Sequence, residues 1–401
     1  MPTLLVFGLL QMHGLRAEER SLLEGADHDT NSSPTAGNWL GSQLDNRETG
    51  VQPFFGYSGE FFSVLDGGKA TGTSWQGLAD FGADFYLETL LGIRGALVRI
   101  HGQSIHGDDP SEFVGDINAL SNIVGFNTTR LFQIWYEQKF GEGSMSFRVG
   151  VIDLDDDFMI ADFSGLFLNS GFGPLPTQSL NNAAPIWPIG TLGVLLYAEP
   201  SENTYFQMGI YDGNIGDEEV NDDGLHVKLG GVEGFIYIFE AGITSNILGR
   251  VGTYKVGGFY HSGEEFMDYN TGNLVNGNTS LYLAINQEIT DAFTGWWRLG
   301  YSPDEEKNVV TLYTDFGINW MGPFGQRSDD ILGIGFLYTD FGSDYIGANP
   351  GVSRTESVIE LTYQGVITPW FSIQPDLQII FNPHEGEKDA FVFGVRSQIV
   401  F

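Results

Sequence analysis

Residues 391–401 read F-V-F-G-V-R-S-Q-I-V-F, and the reading of this stretch decides the fold class. Phe391, Phe393, Val395, Ile399 and Phe401 share one parity, whereas Gly394, Arg396 and Gln398 fall on the other. Successive side chains on a strand point to opposite faces, so the stretch has one apolar face and one mostly polar face. A final amphipathic strand with a terminal aromatic is how outer-membrane β-barrels usually end. In such a barrel it is the segment that engages the assembly machinery. An edge strand of a soluble sheet has the same alternation, so the rest of the chain must separate the two.

Working outward, the period of two holds from Val51 almost to the end. Phe55, Tyr57 and Phe61 oppose Ser58 and Glu60; Phe81, Ala83 and Phe85 oppose Asp80 and Asp84. Val98 and Ile100 oppose Arg99, His101 and Gln103, and Phe147, Val149 and Val151 oppose Ser146 and Arg148. About sixteen such segments follow one another, many near the ~10 residues of a tilted membrane strand. The polar parity carries Asp84, Arg99, Arg148, Glu240, Lys255, Arg298, Asp315, Glu360, Asp376 and Arg396 mid-strand. A closed barrel with a wet interior calls for such groups on nearly every strand. Trp296, Trp297, Tyr301, Trp320, Trp370 and Phe371 gather at strand ends, where an interfacial girdle would lie. Gly333 and Gly335, on the inner parity, suit a curved wall or a close packing contact.

Composition points the same way. Hydrophobic content is 42%, yet no apolar run approaches the roughly 20 residues of a membrane helix. Cysteine is absent, which excludes disulfide and thiol chemistry and fits passage through an oxidising periplasm. Asp and Glu number 52 against 18 Lys and Arg, a net charge of −34 that repels nucleic acid and attracts cations.

The expected organisation has three parts. Residues 1–17 form an atypical signal peptide, with an apolar core but no positive start. Residues 18–50 form a polar leader, in which Trp39, Leu40 and Leu44 share one face of a short helix. Residues 51–401 form the barrel. Its connections are unequal: 199–203 and 367–370 are short, whereas 216–224 and 262–278 are long. Short turns at one rim and long loops at the other is the outer-membrane pattern. The longest interruption, about 153–190, is too apolar for a solvated loop. It is expected to fold inward and narrow a pore, with a plug or a protein-contact loop as alternatives.

Five stretches carry a family resemblance: N-T-T-R-L-F-Q-I-W-Y-E-Q (127–138), L-F-L-N-S-G-F-G (166–173), G-T-Y-K-V-G-G-F-Y-H-S-G (252–263), D-D-I-L-G-I-G-F (329–336) and T-P-W-F-S-I-Q-P-D-L-Q-I-I-F-N-P (368–383). In these motifs, and from about Asn38 to Phe401, the chain resembles the carbohydrate-selective outer-membrane porins of the OprB type. The resemblance implies a sixteen-stranded barrel that passes sugars by diffusion. Asp155, Asp157 and Phe158 look similar to the family, whereas R-V-G-V-I-D-L-D-D-D-F departs from it after Gly150, and this chain is more acidic.

A sugar pore offers donors and acceptors to hydroxyls and aromatic faces to rings, with binding weak enough to permit exit. The inner parity supplies Glu60, Asp84, Arg99, His101, Gln133, Trp135, Glu137 and Arg148 as candidates, joined by Asp157. Arg130 is a further candidate whose place at a strand start lets it face a loop instead. Pairing along the wall is the alternative role for each. The run Asp153, Asp155, Asp156, Asp157 has carboxylates of the kind Ca²⁺ favours, but lacks the glycine and terminal Glu of an EF-hand; a solvated acidic loop is the competing reading. No zinc-protease, serine-hydrolase or phosphate-loop motif occurs, so no catalytic residue and no cofactor is expected.

The reading is an outer-membrane sugar porin, with sugars and outer-membrane lipid as its partners and a cation preference from its charge. A general cation-preferring porin, an adhesin or barrel enzyme, and a soluble glycan-binding β-protein stay open as alternatives. Monomer and trimer are equally compatible with the strand pattern.

Overall fold

The computed structural model describes residues 49–216, 221–227, 229–264, 266–325 and 327–400. The expected signal segment, the leader with its helix, and Phe401 lie outside the described residues, apart from Thr49 and Gly50.

The first nine strands are β1 (Val51–Gly68), β2 (Gly72–Tyr86), β3 (Ala96–Gly107), β4 (Thr128–Phe140), β5 (Met145–Ile152), β6 (Thr191–Ser201), β7 (Thr204–Asp212), β8 (Phe235–Ile247) and β9 (Arg250–His261). A small ribbon follows, β10 (Phe266–Met267) with β11 (Leu274–Val275). The rest are β12 (Asn278–Glu288), β13 (Phe293–Tyr301), β14 (Val310–Met321), β15 (Ile331–Phe341), β16 (Thr355–Thr368), β17 (Phe371–Phe381) and β18 (Lys388–Val400). Leaving out the ribbon, sixteen strands form one closed antiparallel barrel in sequence order, β18 returning to pair with β1. Closure matters because an open strand edge in lipid would leave backbone N–H and C=O groups with no partner.

Parity decides which face each residue takes. On β18, Phe391 is exposed and Phe393, Val395 and Ile399 are half-buried, whereas Val392, Gly394, Arg396 and Gln398 are buried. The same alternation puts Phe61, Trp75, Phe206, Phe239, Val256, Leu281 and Ile334 outside, exposed as a lipid-facing wall requires. All ten mid-strand charges read from the sequence are buried on the inner side. Trp296 departs from the expected girdle. It is 4% exposed and turned inward, 4.8 Å from the ring of Phe167, while its neighbour Trp297 faces out.

The two rims differ on balance: one carries the short connections 141–144, 202–203, 248–249 and 369–370 together with the longer 87–95 and 322–330, and the other carries 108–127, 153–190, 213–234 and 262–277 together with the short 69–71. Two of these long connections, 108–127 and 153–190, supply a large part of the buried apolar cluster, including Val114, Leu120, Leu154, Phe158, Phe167 and Phe172.

Candidate functional site

The interior is organised by how the wall holds segment 153–190. Wall carboxylates accept backbone N–H groups of the segment: Glu240 from Met159 (3.3 Å), Glu360 from Leu168 (2.6 Å) and Asn169 (3.0 Å). Wall donors take its carbonyls: Lys255 Nζ meets Ile160 O at 3.1 Å and Gln374 Nε2 meets Leu166 O at 2.7 Å. Arg298, 1% exposed, pairs with Asp315 and donates to the carbonyls of Met159 (3.2 Å), Gly171 (3.2 Å) and Gly173. A buried guanidinium with five donors is costly unless all are used, and this one is fully engaged. The segment approaches closely because β15 offers Gly333 and Gly335. A Cβ on Gly333 would lie 2.6 Å from Leu166, and one on Gly335 would lie 2.9 Å from both Phe167 and Phe172.

A second inward segment, 108–127, is held in the same manner. Glu356 accepts Ile117 N–H (3.0 Å) and Asn118 N–H (3.0 Å), and Gln378 donates to Leu120 O at 2.9 Å. Glu60 accepts from Gln76 and Ser121 and pairs with Arg396, which also donates to Asn122 Oδ1. The two segments are tied to each other through Asn122 N–H to Leu168 O at 2.7 Å. Sequence reading missed this segment, although Val114, Ile117, Leu120 and Ile123 recur every third residue and signal burial.

Across β2 to β5 the inward side chains form a charged row. Asp84 stands opposite Arg99, Arg99 opposite Trp135, and Glu137 opposite Arg148 in the strand register. Arg99 grips both carboxylate oxygens of Asp84 at 2.5 Å. Arg148 donates to Asp157 at 2.7 Å and lies 3.6 Å from Glu137. The indole of Trp135 supports both cations, with Arg99 at 5.3 Å and Arg148 at 4.6 Å from its ring. Its own exposure is 5%, so it steadies guanidiniums and offers little ring face of its own.

The other candidates surround this row. Gln133 donates to Asp153 and to Asp156 (2.8 Å) and accepts from Trp135 Nε1 at 2.9 Å. His101 Nε2 lies 2.9 Å from Asp80, with Phe54 and Phe132 edge-on to its ring. Arg130 is buried with its guanidinium 5.0 Å from the ring of Phe126, in the second inward segment. A bulge in β4, where His101 pairs with Gln133 and Gly102 with Leu131, puts Phe132 out of step and turns both Arg130 and Gln133 inward.

The acidic run is neither a solvated loop nor a grouped cage. Asp153 is 2% exposed, Asp155 accepts Trp187 N–H at 3.1 Å, and Asp157 turns to Arg148. Among the described residues no three His, Asp or Glu side chains are grouped to hold a metal ion. Burial, then the charge of Asp156, pushes the Asp155 carboxyl up to about 7, and burial pushes that of Asp153 well above the usual range.

The model of the carbohydrate-selective porin family, OprB, matches residues 72–401. Porin B of Pseudomonas aeruginosa is 24% identical over 436 aligned residues, 92% of each chain. The putative porin QuiX of Acinetobacter baylyi is 22% identical, over 68% of this chain and 69% of its own. The high-pH structure of Pseudomonas putida OprB superposes with a TM-score of 0.81 at 22% identity, over 91% of this chain and 97% of the other.

Proposed function

We propose a transport route for a chain that belongs to the carbohydrate-selective porin family, OprB. The protein is a porin of the bacterial outer membrane that passes sugars. Family and fold are those of a channel, and no catalytic step is proposed.

In the proposed route, segment 153–190 narrows the lumen and segment 108–127 fills part of what remains. Mono- or small oligosaccharides diffuse down their gradient past the row of Asp84, Arg99, Glu137, Arg148 and Asp157. The observation that carries this reading is the pairing of each guanidinium in the row with a carboxylate, beside Trp135. Such pairs offer donors and acceptors side by side without a net charge, which suits neutral hydroxyls held weakly. Gln133, His101 and Arg130 border the route, and Glu60 serves it indirectly through segment 108–127. The surplus of acids gives ions a cation preference, the general-porin property that accompanies sugar passage.

Residues 1–17 act as the export signal and 18–50 as the leader. The apolar outer face contacts lipid, and β18, through Phe391, Phe393, Val395 and Ile399 with Phe401, engages the assembly machinery. Reconstitution in a planar bilayer with glucose titration tests the route. Stepwise conductance that glucose blocks saturably is expected; steps unchanged after viscosity correction would leave only a general cation pore.

A further inference from the structure

On the long-loop rim, a cavity of about 300 Å³ opens between three connections. Its floor is Leu180 and Asn181 of segment 153–190, its roof Phe266 and Tyr269 around the ribbon, and its side Lys307 and Val309 between β13 and β14. None of these residues belongs to the charged row.

The floor is rigid. Asn181 Nδ2 donates to Thr177 O (3.0 Å), Ser302 Oγ (3.1 Å) and Val310 O (2.7 Å), and its Oδ1 accepts Val310 N–H at 2.9 Å. The roof is tied as well: Tyr269 N–H donates to Glu306 O at 2.7 Å, Asn270 Nδ2 to Asp344 at 2.6 Å, and the Tyr269 ring packs edge-on to Tyr345 at 5.2 Å. The side wall supplies a charge. The Lys307 side chain is only 10% exposed, with Asp304 at 3.0 Å as its ion-pair partner. An ammonium carries three donors, so Asp304 leaves further N–H groups for a hydroxyl.

We infer that this cavity is a capture subsite for a single pyranose ring, which the sugar occupies before it reaches the charged row. The inference rests on the transport reading above. Its volume is at the small end of ligand pockets, roughly 300 Å³ and up, enough to seat one ring. Tyr269, Phe266 and Leu180 form an apolar wall for the C–H face of the ring. Lys307 supplies charged donors to its hydroxyls from a place largely withdrawn from water, where a hydrogen bond counts for more. Because the floor belongs to segment 153–190, the subsite is built onto the element that narrows the pore.

Sided titration of the whole reconstituted channel with glucose tests this. Lys307→Met should raise the half-blocking glucose concentration about tenfold when sugar is added on the long-loop side, the loss expected for one charge-assisted hydrogen bond, and Tyr269→Ala should raise it too as the C–H face of the ring loses its wall. Lys307→Arg should restore most of it. Addition on the short-turn side, where sugar meets the charged row first, should give the wild-type value in all three. Half-blocking concentrations equal to wild type from the long-loop side in both Lys307→Met and Tyr269→Ala would overturn the subsite and leave the route standing. Wild-type steps that glucose leaves unchanged would overturn the route and the subsite with it.

Discussion

Glu360 on the barrel wall accepts the backbone N–H of Leu168 at 2.6 Å across 192 residues of sequence. With Asn169 N–H at 3.0 Å it fixes the middle of segment 153–190 against β16. Removing the acceptor leaves two buried N–H groups unpaired. Glu360→Ala should therefore lower the unfolding free energy in detergent by about 3 kcal/mol and raise single-channel conductance. Glu360→Gln keeps one acceptor oxygen and should fall between. Denaturant unfolding and bilayer recording on the same preparations check both.

Arg148 depends on shape as much as charge, since it meets Trp135, Glu137 and Asp157 together. Arg148→Lys keeps the charge but loses the planar fork and its stacking. Glucose block should weaken about tenfold, a loss of roughly 1.4 kcal/mol, while the reversal potential in a KCl gradient barely moves.

Asp155 gives the channel a pH dependence of definite sign. Its carboxyl is raised to about 7, so it is mostly neutral below that pH and charged above it. Cation preference should therefore rise between about pH 6 and 8, as negative charge develops in segment 153–190. Asp155→Asn should flatten that rise. Reversal potentials across the range are the measurement, and a slope unchanged in the variant would sink the assignment.

Gly335 is one point of close approach between segment 153–190 and the wall, with Phe167 and Phe172 each 2.9 Å from a would-be Cβ. Gly335→Val should push the segment away at a cost of about 1–3 kcal/mol. The readout is faster proteolysis within 153–190 of a barrel that still resists heat-modified migration on gels.

The barrel was legible because lipid and water impose opposite demands on alternate residues, so each strand carries its own orientation. The pairs Asp84–Arg99 and Glu137–Arg148 were legible only as inner-facing charges; their partnership follows from register, which parity does not set. Trp296 was misplaced because a tryptophan near a strand end has the same sequence signature whether it meets headgroups or Phe167. Segment 108–127 escaped notice because its apolar spacing of three fits no strand and its partners, such as Glu356 and Gln378, lie more than 200 residues away. The bulge at Phe132 left no mark in composition, yet it sets the direction of Arg130.

The wall grips both inward segments mainly by their peptide groups, through Glu240, Glu356, Glu360, Lys255, Gln374 and Arg298. A grip on the main chain is indifferent to what the side chains are. Substitutions among the exposed side chains of the two segments should therefore alter solute preference while the wall keeps its hold on them.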